Sequence, residues 1–392
     1  MSFPLQQKLV IVACASFKGT LSSREASTAI AHGLRRAGEH AHVVALADGG
    51  EGLVEALVSQ QNNARYLEIP ARGPLSSLVR VRLGLIGPVE DTTAVVEMAA
   101  SSGLSLVPLS QRDPKLTTTL GVGDQIRAIL DRTDVQVKRI LVGIGGSATN
   151  DGGAGMAQAL GARFLDAAGH ELPPGGAALA RLSRIDASSL DKRLENVAVT
   201  VACDVDNVLC GRDGASFVYG PQKGGTAEDV KLLDVALAHY AAIISRDVGK
   251  NVRDIPGAGA AGGLGAGLLA FCNAKLVSGI DLLLDMLGFD ELLEHASLVI
   301  TGEGRLDGQT LRGKAPLGVA RRAGQKGVPC IAIGGDVEMD VRDELLRHFQ
   351  ATESLAAFAG STERAQSQAA EMLEQLALAR AQEWARLHVI AT

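Results

Sequence analysis

Apolar positions along the chain come in short runs and in amphipathic stretches, and the two alternate. "KLVIVACA" (residues 8–15) is apolar and β-branched, as a strand buried on both faces requires. "SSREASTAIAHGLRRAG" follows, with Ser22 or Ser23 as N-cap, Ala26, Ile30 and Leu34 on one face, and Gly38 as the stop. "HVVALA" (42–47) reads as a second strand and "EGLVEALVSQ" (51–60) as a second helix. This βαβα opening predicts a parallel sheet with crossover helices. The rhythm returns late in the chain. "SLVIT" (297–301) is a strand pattern, "APLGVARRAGQKG" (315–327) a helix with basic residues near its end, and "VPCIAIGG" (328–335) another strand. The closing "TERAQSQAAEMLEQLALARAQEWARLH" is rich in helix formers.

Between these blocks the texture changes. "LVRVRLGLI" (78–86) alternates, and with "TTAVVEMA" (92–99) across a "GPVED" turn it predicts a hairpin. Alanine- and glycine-rich helical segments and short strands fill the chain to about residue 295. The expected organisation is a parallel-sheet α/β domain from residues 1–77 and 296–392, with a second α/β domain, residues 78–295, inserted.

Composition narrows the class. The 392 residues are 46% hydrophobic and 21% charged, which is ordinary for a globular chain. A net charge of -6 and a pI near 5.8 give no basic patch of the kind nucleic-acid binders need. Five cysteines form no CxxC pair, the N-terminus lacks a cleavable signal pattern, and no apolar run approaches the ~20 residues of a membrane span. The expectation is a cytoplasmic protein with no nucleic-acid or membrane partner. Glycine, at 46 residues, clusters at the ends of apolar runs.

Four of those ends pair a carboxylate with small residues: "ALADGGEG" (Asp48, Glu51), "LVGIGGSATNDGG" (Asp151), "VTVACDVDN" (Asp204, Asp206) and "LVITGEGRLDGQT" (Glu303, Asp307). Ligands of open α/β sheets bind beyond the carboxyl ends of the strands. Carboxylates there either hold Mg²⁺, which takes one or two of them and completes its shell with water and phosphate, or simply cap the next helix. In "GIGGSATNDGGAG" (143–155) free N–H groups and glycine suit an anion. No lysine follows, so it is not a Walker A loop, and Asp151 would repel the phosphate its own helix end attracts. "PGAGAAGGLGAGLLAF" (256–271) contains a formal GxGxxG at Gly257, Gly259 and Gly262, but no buried strand precedes it. It either directs a helix end at a phosphate or lets helices pack closely. Lys18, Lys223, Arg305 and Lys314 lie beside glycines and supply positive charge. Phosphoryl transfer gives both sets of charges a use. The chain has no HExxH and no GxSxG, the signatures of a zinc protease and a serine hydrolase.

Taken in order, "SFKGTLSS", "ADGGEG", "GIGGSATNDGGAGMAQALGARF", "ACDVDNVLCG", "YGPQKG", "GAGAAGGLGAGLLAF", "SGID" and "TGEGRLDGQTLRGKAPLGVA" resemble the bacterial type-1 glycerate kinase family, which makes 2-phosphoglycerate. The resemblance implies ATP- and Mg²⁺-dependent phosphorylation of D-glycerate. It also implies a flavodoxin-like domain from both chain ends, an inserted mixed-sheet domain, and an active site in the cleft between them, in a monomer or homodimer. On the matching positions, Ser16, Lys18, Asp48, Gly49, Gly50, Glu51, Asp281, Arg305 and Lys314 would bind substrate, with Lys18 and Arg305 on glycerate or the moving phosphoryl group. Asp204 is the candidate base, and Asp48 and Glu303 the candidate Mg²⁺ ligands. Gly145, Gly146, Ser147, Thr149, Asn150, Lys223, Gly257, Gly259 and Gly262 would bind ATP. The family pattern "APDSFK" is "ACASFK" here, so Cys14 stands for a proline and Ala15 for a carboxylate; Val208 replaces a common proline. The Ala15 change admits a kinase for another small hydroxy acid, or a metabolite-binding protein with weakened catalysis.

Overall fold

The computed structural model describes residues 9–47 and 52–386. The chain divides into two compact units, Met1–Asp48 with Ile280–Thr392, and Gly49–Gly279.

The first unit is built on five strands: β1 (Leu9–Cys14), β2 (His40–Val43), β11 (Ala296–Leu306), β12 (Cys330–Val337) and β13 (Ala351–Ser354). The second holds β3 (Ala64–Arg72), β4 (Leu78–Ile86), β5 (Thr92–Glu97), β6 (Val137–Gly143), β7 (Arg163–Leu165), β8 (Arg184–Asp186), β9 (Ala198–Ala202) and β10 (Lys275–Val277).

In the first unit all pairings are parallel and the order is β13-β12-β11-β1-β2. Numbered within the unit this is 2-1-3-4-5, the flavodoxin-like order. β1 is buried along its length except at Leu9, as an apolar run covered on both faces must be. The helix Ser23–Arg36 is opened by a capping box in which Ser22 accepts from Glu25 N and the Glu25 carboxylate accepts from Ser22 N. Its buried face carries Ala26, Ile30 and Leu34, which meet Leu373, Leu376 and Trp384 of the helix Ala369–Arg386. Strand β2 is shorter than the apolar pattern, ending at Val43, although residues 44–47 stay buried and Val44 N still donates to Val12 O.

The sheet of the second unit runs β10-β9-β6-β5-β4-β3 and is mixed. β3, β4 and β5 pair antiparallel, and β5, β6, β9 and β10 pair parallel. The β4–β5 hairpin is the one the alternation predicts, with Leu85 opposite Ala94. The unit boundaries differ from those expected. Residues 49–77 group with the second unit because all nine residues of β3 pair with β4. Residues 280–295 group with the first: Gly318 lies against Ile280, so that a Cβ there would come within 2.6 Å of its side chain, and Phe289 and Leu293 are buried.

Candidate active site

In a 2-1-3-4-5 sheet the crossovers leave the first and third strands in opposite directions, and a crevice opens where their carboxyl ends part. Here those strands are β1 and β11. Ala15 N donates to Gly302 O (2.8 Å), continuing the ladder past Cys14. The chain then turns, with Phe17 O accepting from Thr20 N and Leu21 N, which buries Phe17 and leaves Ser16 half-buried and Lys18 exposed. Across from it, a Cβ on Gly304 would sit 3.2 Å from Lys18 N, so the two loops touch. The fold therefore brings Ser16, Lys18, Glu303 and Arg305 to neighbouring strand ends.

Glu303 is only 8% exposed. Its carboxylate accepts from Thr310 Oγ1 (2.7 Å) and from Lys314 Nζ (3.4 Å). Burial pushes this carboxyl above the usual range, against the pull of both partners. Asp307 accepts from Gln309 N and Thr310 N and lies 4.0 Å from Lys314 Nζ. Arg305 is 58% exposed, and its ion-pair contact is loose, 3.9 Å to Glu338. One cation, Lys314, thus stands against this buried carboxylate, with Lys18 and Arg305 on the neighbouring strand ends. Glu303, expected as a metal ligand, has both oxygens engaged, one by an ammonium. Among the described residues no group of three His, Cys, Asp or Glu side chains could hold a metal ion. Asp48, Gly49, Gly50 and Glu51 lie outside the described residues. Asp281 is gripped by Arg321 (2.5 and 2.6 Å) within a network of Arg322, Asp285 and Asp290 that ties the helices Gly279–Met286 and Ala315–Gln325.

In the second unit the loop after β6 is ordered by its carbonyl groups. Gly146 O accepts from Leu104 N (2.8 Å), Ala148 O from Thr117 Oγ1 (2.9 Å) and Thr149 O from Lys223 Nζ (2.7 Å). A trans peptide is planar, so the following N–H groups, on Ser147, Thr149 and Asn150, point the other way. Among the described residues these amides, and those of Gly145 and Gly146, donate to nothing. Gly145, Gly146 and Ser147 reach the surface, whereas Thr149 and Asn150 are buried, each with an unpartnered side-chain oxygen. The exposed amides of Gly145, Gly146 and Ser147 are the ones placed to cradle an anion.

Asp151, fully buried, accepts from Thr119 N (2.8 Å), Thr119 Oγ1, Thr118 Oγ1, Gly153 N (3.1 Å) and Gly155 N (3.3 Å). Three of these donors are backbone N–H groups, which suits a carboxylate, and two of them, Gly153 N and Gly155 N, lie at the start of the helix Ala154–Ala159, whose N-cap position is Gly153 and not Asp151. Burial nonetheless raises its pKa, with Thr119, Gly153 and Gly155 opposing. Lys223 does not reach out to a ligand: it is 1% exposed, and burial pushes its pKa down to about 7 while Asp151 pulls it back up.

The second glycine cluster answers the alternative left open by its sequence. A Cβ on Gly262 would lie 1.9 Å from Thr149 O and one on Gly259 2.1 Å from Val208 O. At Gly257 it would meet Leu276 at 2.9 Å. Residues 261–263 adopt left-handed conformations inside the helix Ala260–Phe271, and Gly262 O accepts from Gly152 N. These glycines are filled by protein and let one glycine-rich segment pack on the other. Asp204 sits exposed beyond β9, held by Gly279 N (2.7 Å) and Ser278 Oγ (3.5 Å). The threonine run 117–119 and Ser216, which accepts from Asn150 Nδ2 (2.9 Å), shape the loop and were not anticipated. "TTT" before the apolar helix Leu120–Leu130 is the one signal the sequence held for them.

Known proteins show the same construction. The sequence model of the "Glycerate kinase family" matches residues 10–385. A glycerate kinase of Bacillus subtilis is 47% identical over 370 residues, covering 94% of this chain and 95% of that protein. A glycerate 2-kinase of Escherichia coli is 46% identical over 335 residues, covering 85% and 86%. A crystal structure from Salmonella typhimurium LT2, described as glycerate kinase 2, is 44% identical and superposes with a TM-score of 0.82 over 96% of this chain and 98% of its own. The chain is an enzyme, a kinase, and belongs to the glycerate kinase family.

Proposed function

We propose that the chain transfers the terminal phosphoryl group of ATP to the 2-hydroxyl of D-glycerate, giving 2-phosphoglycerate. The observation that carries this reading is Lys314 on buried Glu303, with Lys18 and Arg305 at the adjoining ends of β1 and β11 at the switch point. A small dianionic or monoanionic acid needs fixed cations beside a hydroxyl-orienting group, and this set supplies them. The E. coli relative's description as a glycerate 2-kinase supports the choice of hydroxyl.

Lys18 and Arg305, both exposed, hold the glycerate carboxylate and the equatorial oxygens of the group in transit. Lys314, braced by Glu303 and Asp307, keeps its ammonium at the mouth of the strand ends. The outward amides of Gly145, Gly146 and Ser147 take nucleotide phosphate oxygens, while Thr149 and Asn150, expected to join them, are buried behind. Asp204 stands ready as the base that receives the hydroxyl proton; Gly279 N fixes its position. Magnesium arriving with the nucleotide would supply charge neutralisation for phosphoryl transfer; among the described residues no group of three His, Cys, Asp or Glu side chains could hold it. The protein works in the cytoplasm, consistent with its free cysteines.

Ala15 favours one second reading, an acceptor other than glycerate, because a methyl group occupies the end of β1. Steady-state assays on a panel of 2- and 3-hydroxy acids decide between them. D-glycerate should give the highest kcat/KM, and Asp204→Asn should cut kcat at least about a hundredfold. Preference for another acid would replace the glycerate reading; near-normal turnover in Asp204→Asn would remove Asp204 as base.

A further inference from the structure

Lys223 is the only lysine or arginine so deeply buried among the described residues. It follows the helix Ala215–Tyr219 on a short turn, Pro221–Lys223, and the next residue, Gly224, has φ +94° and room for no Cβ, which would lie 2.4 Å from Arg112 O. That turn drives the side chain inward until Nζ reaches Thr149 O at 2.7 Å. Thr149 and Asn150, the two residues of that peptide, also carry side-chain oxygens with no partner among the described residues.

A neutral donor would suffice to hold a carbonyl. Leu104 N and Thr117 Oγ1 do that for Gly146 and Ala148. A buried ammonium is a costly substitute, so its charge calls for a use. Asp151 supplies the reason: its carboxylate lies in the same segment as the outward amides and would repel a phosphate brought to them. Placed beneath Thr149, a cation offsets that charge in a medium of low dielectric, where the offset is large. It also fixes the Thr149–Asn150 peptide, so that Asn150 N–H faces away from it.

We infer that Lys223 is a positioning residue for the nucleotide phosphates: from the buried side it holds the Thr149 carbonyl behind the exposed amides of Gly145, Gly146 and Ser147 and offsets the Asp151 charge, without touching the ligand. The inference rests on the proposed role of residues 145–147 in holding ATP. It corrects the simple expectation that Lys223 contacts the cofactor itself.

The test uses the full chain with Lys223→Met, which removes charge and donor, and Lys223→Gln, which keeps a donor for Thr149 O. ADP binding by calorimetry is measured alongside KM for ATP, KM for D-glycerate and kcat. Leu83→Ala, a core change in β4 of the same unit, controls for lost stability. Lys223→Met should weaken ADP binding and raise KM for ATP about tenfold or more, with KM for glycerate changed less than about threefold. Lys223→Gln should fall between it and wild type. ADP binding unchanged in Lys223→Met, or a loss shared equally with Leu83→Ala, would overturn the inference, as would failure of both variants to fold. Wild-type protein that binds ADP yet leaves glycerate unphosphorylated would instead overturn the proposed function.

Discussion

The tightest claim about the glycine-rich segments concerns Gly262. Its φ is +68° and a Cβ there would lie 1.9 Å from Thr149 O. Replacing it with alanine imposes two separate penalties. The left-handed conformation costs roughly 1–2 kcal/mol for a residue with a side chain. Forcing the Thr149 carbonyl aside by about 1 Å or more adds an overpacking term of roughly 1–3 kcal/mol. Gly262→Ala should therefore destabilise the protein by about 2–5 kcal/mol. Gly169 separates the two contributions: its φ is +84° but nothing lies within 4 Å of its would-be Cβ. Gly169→Ala should cost only roughly 1–2 kcal/mol. Urea unfolding followed by circular dichroism and by intrinsic fluorescence measures both variants. Equal losses would refute the claim that glycine at 262 exists for close packing. The displaced carbonyl is also the one Lys223 holds, so ADP binding should weaken in Gly262→Ala and stay unchanged in Gly169→Ala.

Lys18 is exposed on its turn, so Lys18→Ala should cut kcat at least about a hundredfold while moving unfolding stability by less than about 0.5 kcal/mol; near-normal kinetics would exclude it from the site. Burial raises the folded pKa of Glu303, so the native state holds its proton to higher pH than the unfolded chain and stability declines as pH rises through the folded value. Glu303→Gln should remove that decline, keeping the unfolding midpoint at pH 8 as high as wild type or higher, while activity falls at least about tenfold; a large drop in the midpoint would show instead that the carboxylate holds the fold. The Lys115 ammonium hydrogen-bonded to Asp229, with the Thr226 cap, lowers that carboxyl to about 2. Its stabilisation is complete above the unfolded value near 4 and is lost as pH falls toward about 2, so Asp229→Asn should flatten the stability profile between those limits; an unchanged slope would contradict this.

What the sequence disclosed depended on whether a signal was local. β1, the capped helix after it and β11–β12 are read directly from apolar runs and from Ser22 and Glu25, because burial on both faces and capping leave a mark within a few residues. The assignment of β3 was not local. "ARYLEIPAR" alternates in exposure, and only its pairing with β4 places it in the second sheet. At the site, Lys18, Glu303 and Arg305 were visible as charges beside glycine at strand ends, and the switch point then brings them together. Lys223 carried the same surface signature, a lysine beside two glycines, but the Pro221–Lys223 turn sends it inward. Likewise Gly257, Gly259 and Gly262 spell a phosphate fingerprint, yet backbone from residues 149–150 and 207–208 occupies the space at Gly259 and Gly262. Glycine spacing records a close approach and leaves its partner unnamed.

The most direct measurement is phosphorus and proton NMR of the product formed from ATP, Mg²⁺ and D-glycerate by the purified protein. The account predicts stoichiometric ADP and a phosphate ester coupled to the single C2 proton of glycerate, with no such signal when Arg305 is replaced by alanine. A product esterified at C3, or no phosphoglycerate from protein that binds both ligands, would contradict it.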